Sequence, residues 1–211
     1  MEKSIETIWK EGFLNRDALL APRVNNLYNK KSIHISEKFE KMFRSNIWTI
    51  LIGSIVLFIA SYFAGALIAG SIILLMMFYV AYTAYHELKS LEKIDKGQTS
   101  YAYLKSFKAW ISNSIERYGK MYRFVYPILI LTFYLGIWFS DIFANAREII
   151  VLRSEDIIFG LHLYTTILVL LVATMMAIFS KAIHRKDVQT IYGGIIKKID
   201  EALIEMEELR D

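Results

Sequence analysis

Three long runs of the chain carry no charged side chain, and they restrict its fold more than any motif does. No Asp, Glu, Lys or Arg occurs in the 42 residues between Arg44 and Glu87, the 17 between Arg123 and Asp141, or the 24 between Asp156 and Lys181. A bilayer core is crossed by about 20 predominantly apolar residues in a helix. The first run therefore holds two crossings and each of the others one. The expected fold class is an all-α, polytopic membrane protein with four transmembrane helices. Hydrophobic residues make up 55% of the 211 and charged residues 22%, a balance that excludes a disordered or collagen-like chain and most soluble enzymes.

Orientation follows from the basic residues. Nine Lys or Arg lie in residues 1–45, eight in 87–123 and six in 181–211, which leaves only Arg147 and Arg153 between spans three and four. Basic loops stay on the cytoplasmic side, so both termini and the central segment are expected there. The loop 141–156 is expected outside. The same asymmetry, with attraction to anionic lipid, accounts for the net charge of +4, and no direct nucleic-acid role is expected.

Periodicity divides the chain further. Residues 1–21 form an amphipathic arm, with Ile5, Ile8, Trp9 and Phe13 at helical spacing, and Asn15-Arg16-Asp17 interrupts it. Pro22 marks a fresh helix start, and 22–45 reads as a cytoplasmic helix leading into a transmembrane hairpin over 46–86. Residues 87–121 read as a cytoplasmic helical hairpin. Its first helix ends near Lys96-Gly97 and Thr99 or Ser100 caps the second. Leu104, Phe107, Ile111, Ile115, Tyr118, Tyr122 and Val125 then form a near-heptad seam. Spans three and four occupy 122–182. An amphipathic helix over 183–211 presents Val188, Ile191, Tyr192, Ile195, Ile199, Leu203 and Met206.

Chemistry is sparse. With no cysteine, thiolate catalysis, disulfides and thiolate metal sites are excluded. His86-Glu87 opens like a zinc-protease motif, but Ser90 stands where the second histidine belongs. Neither a phosphate-binding loop nor a nucleophile elbow is present. No catalytic residue, metal ligand or cofactor is expected, and the chain reads as a non-enzyme. His86 and His184 both fall at cytoplasmic span ends, where the helix dipole favours them and where they could meet. His162 reads as an interhelical hydrogen-bond partner.

Two candidate contact regions remain. Ala60, Ala64, Gly65, Ala69 and Gly70 are small residues at four-residue spacing near the tip of the first hairpin. They suit close packing of the hairpin on itself or, as the competing use, a homo-oligomer face. Trp9, Phe13, Leu14 and Leu19 give the arm an apolar face. It suits either the lipid surface or the groove of a cytosolic protein.

Two short segments add a resemblance: Ile8-Trp9-Lys10 in the arm, and Leu27-Tyr28-Asn29-Lys30-Lys31-Ser32-Ile33 before span one. With the four-span layout they resemble short bacterial membrane proteins encoded beside extracytoplasmic-function sigma factors, a group of anti-sigma type. The resemblance implies an inner-membrane, non-enzymatic regulator that sequesters a sigma factor through its arm and cytoplasmic helices. The alternative from the residues alone is an oligomeric channel or small transporter.

Overall fold

The computed structural model describes the backbone of residues 5–95 and 97–208, and side chains from Tyr28 onward within those ranges. Five helices and one minimal hairpin follow in the order α1 (Ile5–Phe63), α2 (Leu67–Leu91), α3 (Ser100–Trp138), α4 (Ala144–Arg153), β1 (Ile157–Ile158), β2 (Leu161–His162) and α5 (Leu163–Glu208). The fold is all-α. Four segments are long and apolar enough to cross a membrane: Tyr28–Phe63, Leu67–Leu91, Ser100–Trp138 and Leu163–Glu208. Their apolar side chains, among them Ile52, Val56, Ile68, Leu75, Leu168 and Ile178, point outward toward lipid.

Length explains the architecture. At 1.5 Å per residue, the 39 residues of α3 reach roughly 58 Å and the 46 of α5 roughly 69 Å, against a hydrocarbon core of about 30 Å. Both helices must project well beyond the bilayer. Their projections meet those of α1 and α2 in one bundle, whose core includes Ile35, Phe39, Leu88, Leu104, Phe107, Ile111, Ile195, Ile199 and Ala202. α3 and α5 form the most extensive helix pair, and α1 and α2 the next. Lys31–Glu205 (2.6 Å), Lys108–Asp200 (2.6 Å) and Lys181–Glu116 (3.2 Å) tie helices together at the bundle surface. Such exposed pairs contribute at most about 1 kcal/mol each, so apolar burial holds the bundle.

The α3 seam is as expected at Leu104, Phe107, Ile111, Tyr118 and Val125, all buried. The seam on α5 is displaced from its expected line. Ile191 is exposed, Leu203 only half-buried, and Ala202 fully buried. Tyr192, Ile195, Ile199, Ala202 and Met206 recur at alternating steps of three and four, the spacing that faces an antiparallel partner helix. α2 ends at Leu91, short of Lys96-Gly97, while the Thr99 hydroxyl does accept from the Ala102 amide (3.4 Å) as the cap of α3. The backbone of α1 is helical through residues 15–22, where the sequence suggested an interruption and a fresh start. A proline removes one backbone donor and bends a helix as readily as it ends one.

The far ends of the spans are closed by local geometry. Gly65, at φ 70°, terminates α1, with the Ala66 amide donating to the Ser61 carbonyl (2.8 Å) and the Gly65 amide to that of Tyr62 (3.2 Å). This pair of bonds is the Schellman termination, which calls for a left-handed residue at that position. The Ala64 carbonyl accepts from the Asp141 amide (3.0 Å), tying this turn to the end of α3. The stretch 141–156, expected as a loop, contains α4, which buries none of its side chains. The Arg147 guanidinium donates to the Trp138 carbonyl (2.9 Å) and the Trp138 indole to the Gly160 carbonyl (2.8 Å), so α4 and the small hairpin fold back over α3.

Among the five small residues of the first hairpin, Gly70 is buried, Ala64 and Ala69 are half-buried, and Ala60 and Gly65 are exposed. A Cβ built on Gly70 would overlap the Ser61 side chain of α1. Gly70→Leu is therefore expected to force α1 and α2 apart and cost about 1–3 kcal/mol. A lowered thermal midpoint in detergent would register this, whereas Ala60→Leu, on an open face, should leave the midpoint in place.

Candidate functional site

Where the charge-free runs give way to the charged bundle, the helices part around a cavity of about 430 Å³. α1 contributes Phe39, Phe43, Asn46 and Ile50, and α2 contributes Val80 and Ala84. α3 brings Trp110, Ile111, Ser114, Ile115, Tyr118, Tyr122 and Tyr126, and α5 brings His184, Asp187, Val188, Thr190, Ile191 and Tyr192. The space arises from side-chain size. α2 presents alanine at position 84, while α3 and α5 meet through large rings that stack side by side without filling the centre.

The rings form a continuous wall. Tyr118, Tyr122 and Tyr126 share one face of α3 at four-residue intervals. Tyr122 and Tyr126 stack at 4.8 Å, and the His184 ring lies 4.7 Å from Tyr122 and 5.7 Å from Tyr118. Phe39 packs on Tyr192 at 5.0 Å from the opposite side.

The polar groups of this wall are incompletely matched. The Tyr126 hydroxyl donates to Asp187 Oδ2 at 3.2 Å. Tyr118 and His184, 7% and 9% exposed, have a hydroxyl and an Nε2 that are buried and meet no hydrogen-bond partner among the described residues. An unmatched buried polar group costs about 1–3 kcal/mol. Burial pushes the His184 imidazole below its ordinary pKa, against the opposing pull of the Asp187 carboxylate. Burial, reinforced by the Glu87 carboxylate, pushes the Tyr118 phenol far up, and burial raises that of Tyr192, whose hydroxyl also meets no hydrogen-bond partner among the described residues, to about 12. At neutral pH the imidazole and both phenols are therefore uncharged.

A second polar cluster fixes α2 against α3 beside the cavity. Glu87 Oε2 accepts from the Arg117 guanidinium (2.8 Å) and the Ser114 hydroxyl (3.1 Å). Ser90 Oγ donates to the Glu87 carbonyl (2.6 Å) and accepts from the Trp110 indole (2.8 Å). Trp110 and Ser114, both on the cavity wall, are thus held by the His86-Glu87-Leu88-Lys89-Ser90 segment, which serves helix packing here. Farther along α1, the Tyr103 hydroxyl donates to Ser36 Oγ (2.9 Å), a buried tie between α3 and α1.

Several residues singled out by sequence sit elsewhere. His86 is exposed beside Tyr82 (6.2 Å between rings), apart from the buried position of His184, and no group of three or more His, Cys, Asp or Glu among the described residues could hold a metal. Among the described residues, His162 does not bridge helices. Its Nδ1 pairs with Thr165 Oγ1 (2.9 Å) and its carbonyl accepts from Thr166 Oγ1 (2.8 Å), both local bonds. The interhelical bond at that level is Tyr134 with Thr166 (2.7 Å). The side chains of Trp9, Phe13, Leu14 and Leu19 lie outside the described residues.

Periodicity alone placed Tyr118 and Tyr122 in a packing seam and Tyr126 among interfacial aromatics. The signal that could have marked the cavity is the polar character of that stripe. Three tyrosines in register, opposite a His184–Asp187 pair three residues apart, are more hydrogen-bonding groups than a packing seam needs. No protein-family model, curated protein or solved structure matches the chain.

Proposed function

We propose that the protein is a membrane-anchored, non-enzymatic regulatory or scaffolding protein. It binds a cytosolic partner through its N-terminal arm and the helical extension, both on the cytoplasmic face of a bacterial inner membrane. The observation that carries this reading is mechanical. α1, α2, α3 and α5 pass without interruption from the membrane-spanning region into one packed bundle. A change in how the spans pack is thereby transmitted directly to the surface a soluble partner would touch. A sigma factor is the partner class to which the sequence resemblance points, with Trp9 and Phe13 as the anchoring pair and Leu14 and Leu19 beside them.

The hydroxyls of the spans favour this over a channel or transporter. Ser54, Ser71, Thr83 and Thr174 each donate to a carbonyl three or four residues back on their own helix, at 2.8–2.9 Å. Each hydroxyl's one proton is thus used on its own helix, and the charge-free runs carry no Asp, Glu, Lys or Arg of the kind that marks an ion or proton path. The reading is tested by photocrosslinking from position 13 of the full-length chain in native membranes. A cytosolic protein crosslinked by the wild type, and lost on Trp9→Ala with membrane insertion unchanged, is the expected result. Retained crosslinking in Trp9→Ala would remove the arm from the interaction, and selective ion flux in liposomes reconstituted with the pure protein would replace the regulatory reading with the channel.

A further inference from the structure

We infer that the cavity at the junction of spans and bundle is a binding site for a lipophilic, protonated amine. Its volume of about 430 Å³ lies within the range of small-molecule sites. Polarity then selects the ligand. Tyr118, His184 and Tyr192 line it with ring faces, their hydroxyls and the His184 Nε2 being buried behind those faces. The Asp187 carboxylate stands on the same wall beside Tyr126. No Lys or Arg lines the cavity among the described residues. The nearest ionic pair, Glu87 with Arg117, is already matched.

A ligand here therefore meets one negative charge and the faces of aromatic rings. An ammonium group satisfies both, since tyrosine faces attract cations and the Asp187 carboxylate accepts its N–H groups. An anion would face the Asp187 carboxylate with no Lys or Arg in the lining to offset it, and a neutral ligand would gain nothing from that charge. The place in the fold agrees. The cavity's lining residues Tyr122 and His184 stand within three positions of Arg123 and Lys181 in the chain, where the charge-free runs end, the depth at which amphipathic amines with an apolar body and a charged tip settle in a bilayer. The inference concerns binding alone and holds whether or not the bundle engages a cytosolic partner.

The test uses full-length protein in zwitterionic-lipid nanodiscs and three probes on one skeleton: 4-phenylbutylamine, 4-phenylbutanol and 4-phenylbutyrate. Calorimetric titration, corrected with empty nanodiscs, should give saturable binding of the amine, with the alcohol about tenfold weaker and the acid weaker still. Asp187→Asn, at an exposed position, should lower the amine's affinity about tenfold and leave the alcohol's unchanged. Amine binding no tighter than that of the acid, or unmoved by Asp187→Asn in a variant with the wild-type midpoint, would overturn the assignment. So would a signal that empty nanodiscs reproduce.

Discussion

Phe107→Ala should destabilise the extramembrane bundle by about 3–5 kcal/mol, the range for removing a fully buried phenylalanine from a packed core. Phe107 is 0% exposed, and its ring meets Phe39 edge-on at 5.4 Å and lies parallel to Trp110 at 6.2 Å. Truncation leaves a void among side chains of α1 and α3 that helices continuous with the membrane spans cannot close by shifting. Chemical denaturation in detergent micelles, followed by near-UV circular dichroism, would show the loss. Phe107→Leu keeps much of the volume and should cost clearly less. Equal costs for the two variants would mean that the site relaxes freely and that the bundle is not packed as described.

Ile199→Asp is expected to have the second large effect, because it places a carboxylate where Ile199 is 0% exposed. Burying an unpaired charge is among the few single changes that exceed about 4 kcal/mol. The expected outcome is release of the α5 extension from the bundle with the spans still inserted. Limited proteolysis should then cut after Lys197 or Lys198, which the packed helix is expected to protect in the wild type. Ile204→Asp on the same helix, at a site 57% exposed, should change stability by no more than about 0.5 kcal/mol and leave the proteolysis pattern intact. Similar behaviour of the two variants would show that α5 does not pack through the Ile195–Ile199–Ala202 face.

Position along the chain was readable wherever the governing property is local. The charge-free runs state the number of spans, because the cost of a charge in hydrocarbon is met residue by residue. The three-four spacing of Leu104, Phe107, Ile111 and Tyr118 states which face of α3 is inside, because side-chain direction follows from helix geometry. A hydroxyl cap at Thr99 or Ser100 followed from the residues before the helix, and the structure selects Thr99. The α5 seam was placed less well, and Ala202 was passed over for Leu203. A small residue carries little hydrophobic signal, yet it is what a close helix approach requires.

The candidate site belongs to the other category. Tyr118, Tyr122 and His184 read as packing and interfacial residues in the sequence, and each does pack. That they surround a cavity with Asp187 depends on the rotation and spacing of four helices drawn from positions 39 to 192. No window along the chain contains that information. The same holds at the far end of the spans. Small-residue spacing marked Gly65 for helix packing, whereas its φ of 70° and its neighbour's bond to Asp141 make it the termination of α1, joined to the end of α3. An all-α chain with four helices able to cross a membrane, and apolar faces continuing beyond it, follows from hydropathy and helical period, because both act locally. Which polar groups meet, which remain unmatched and where space is left emerge on folding alone, because they depend on how large and small side chains from distant segments fit together.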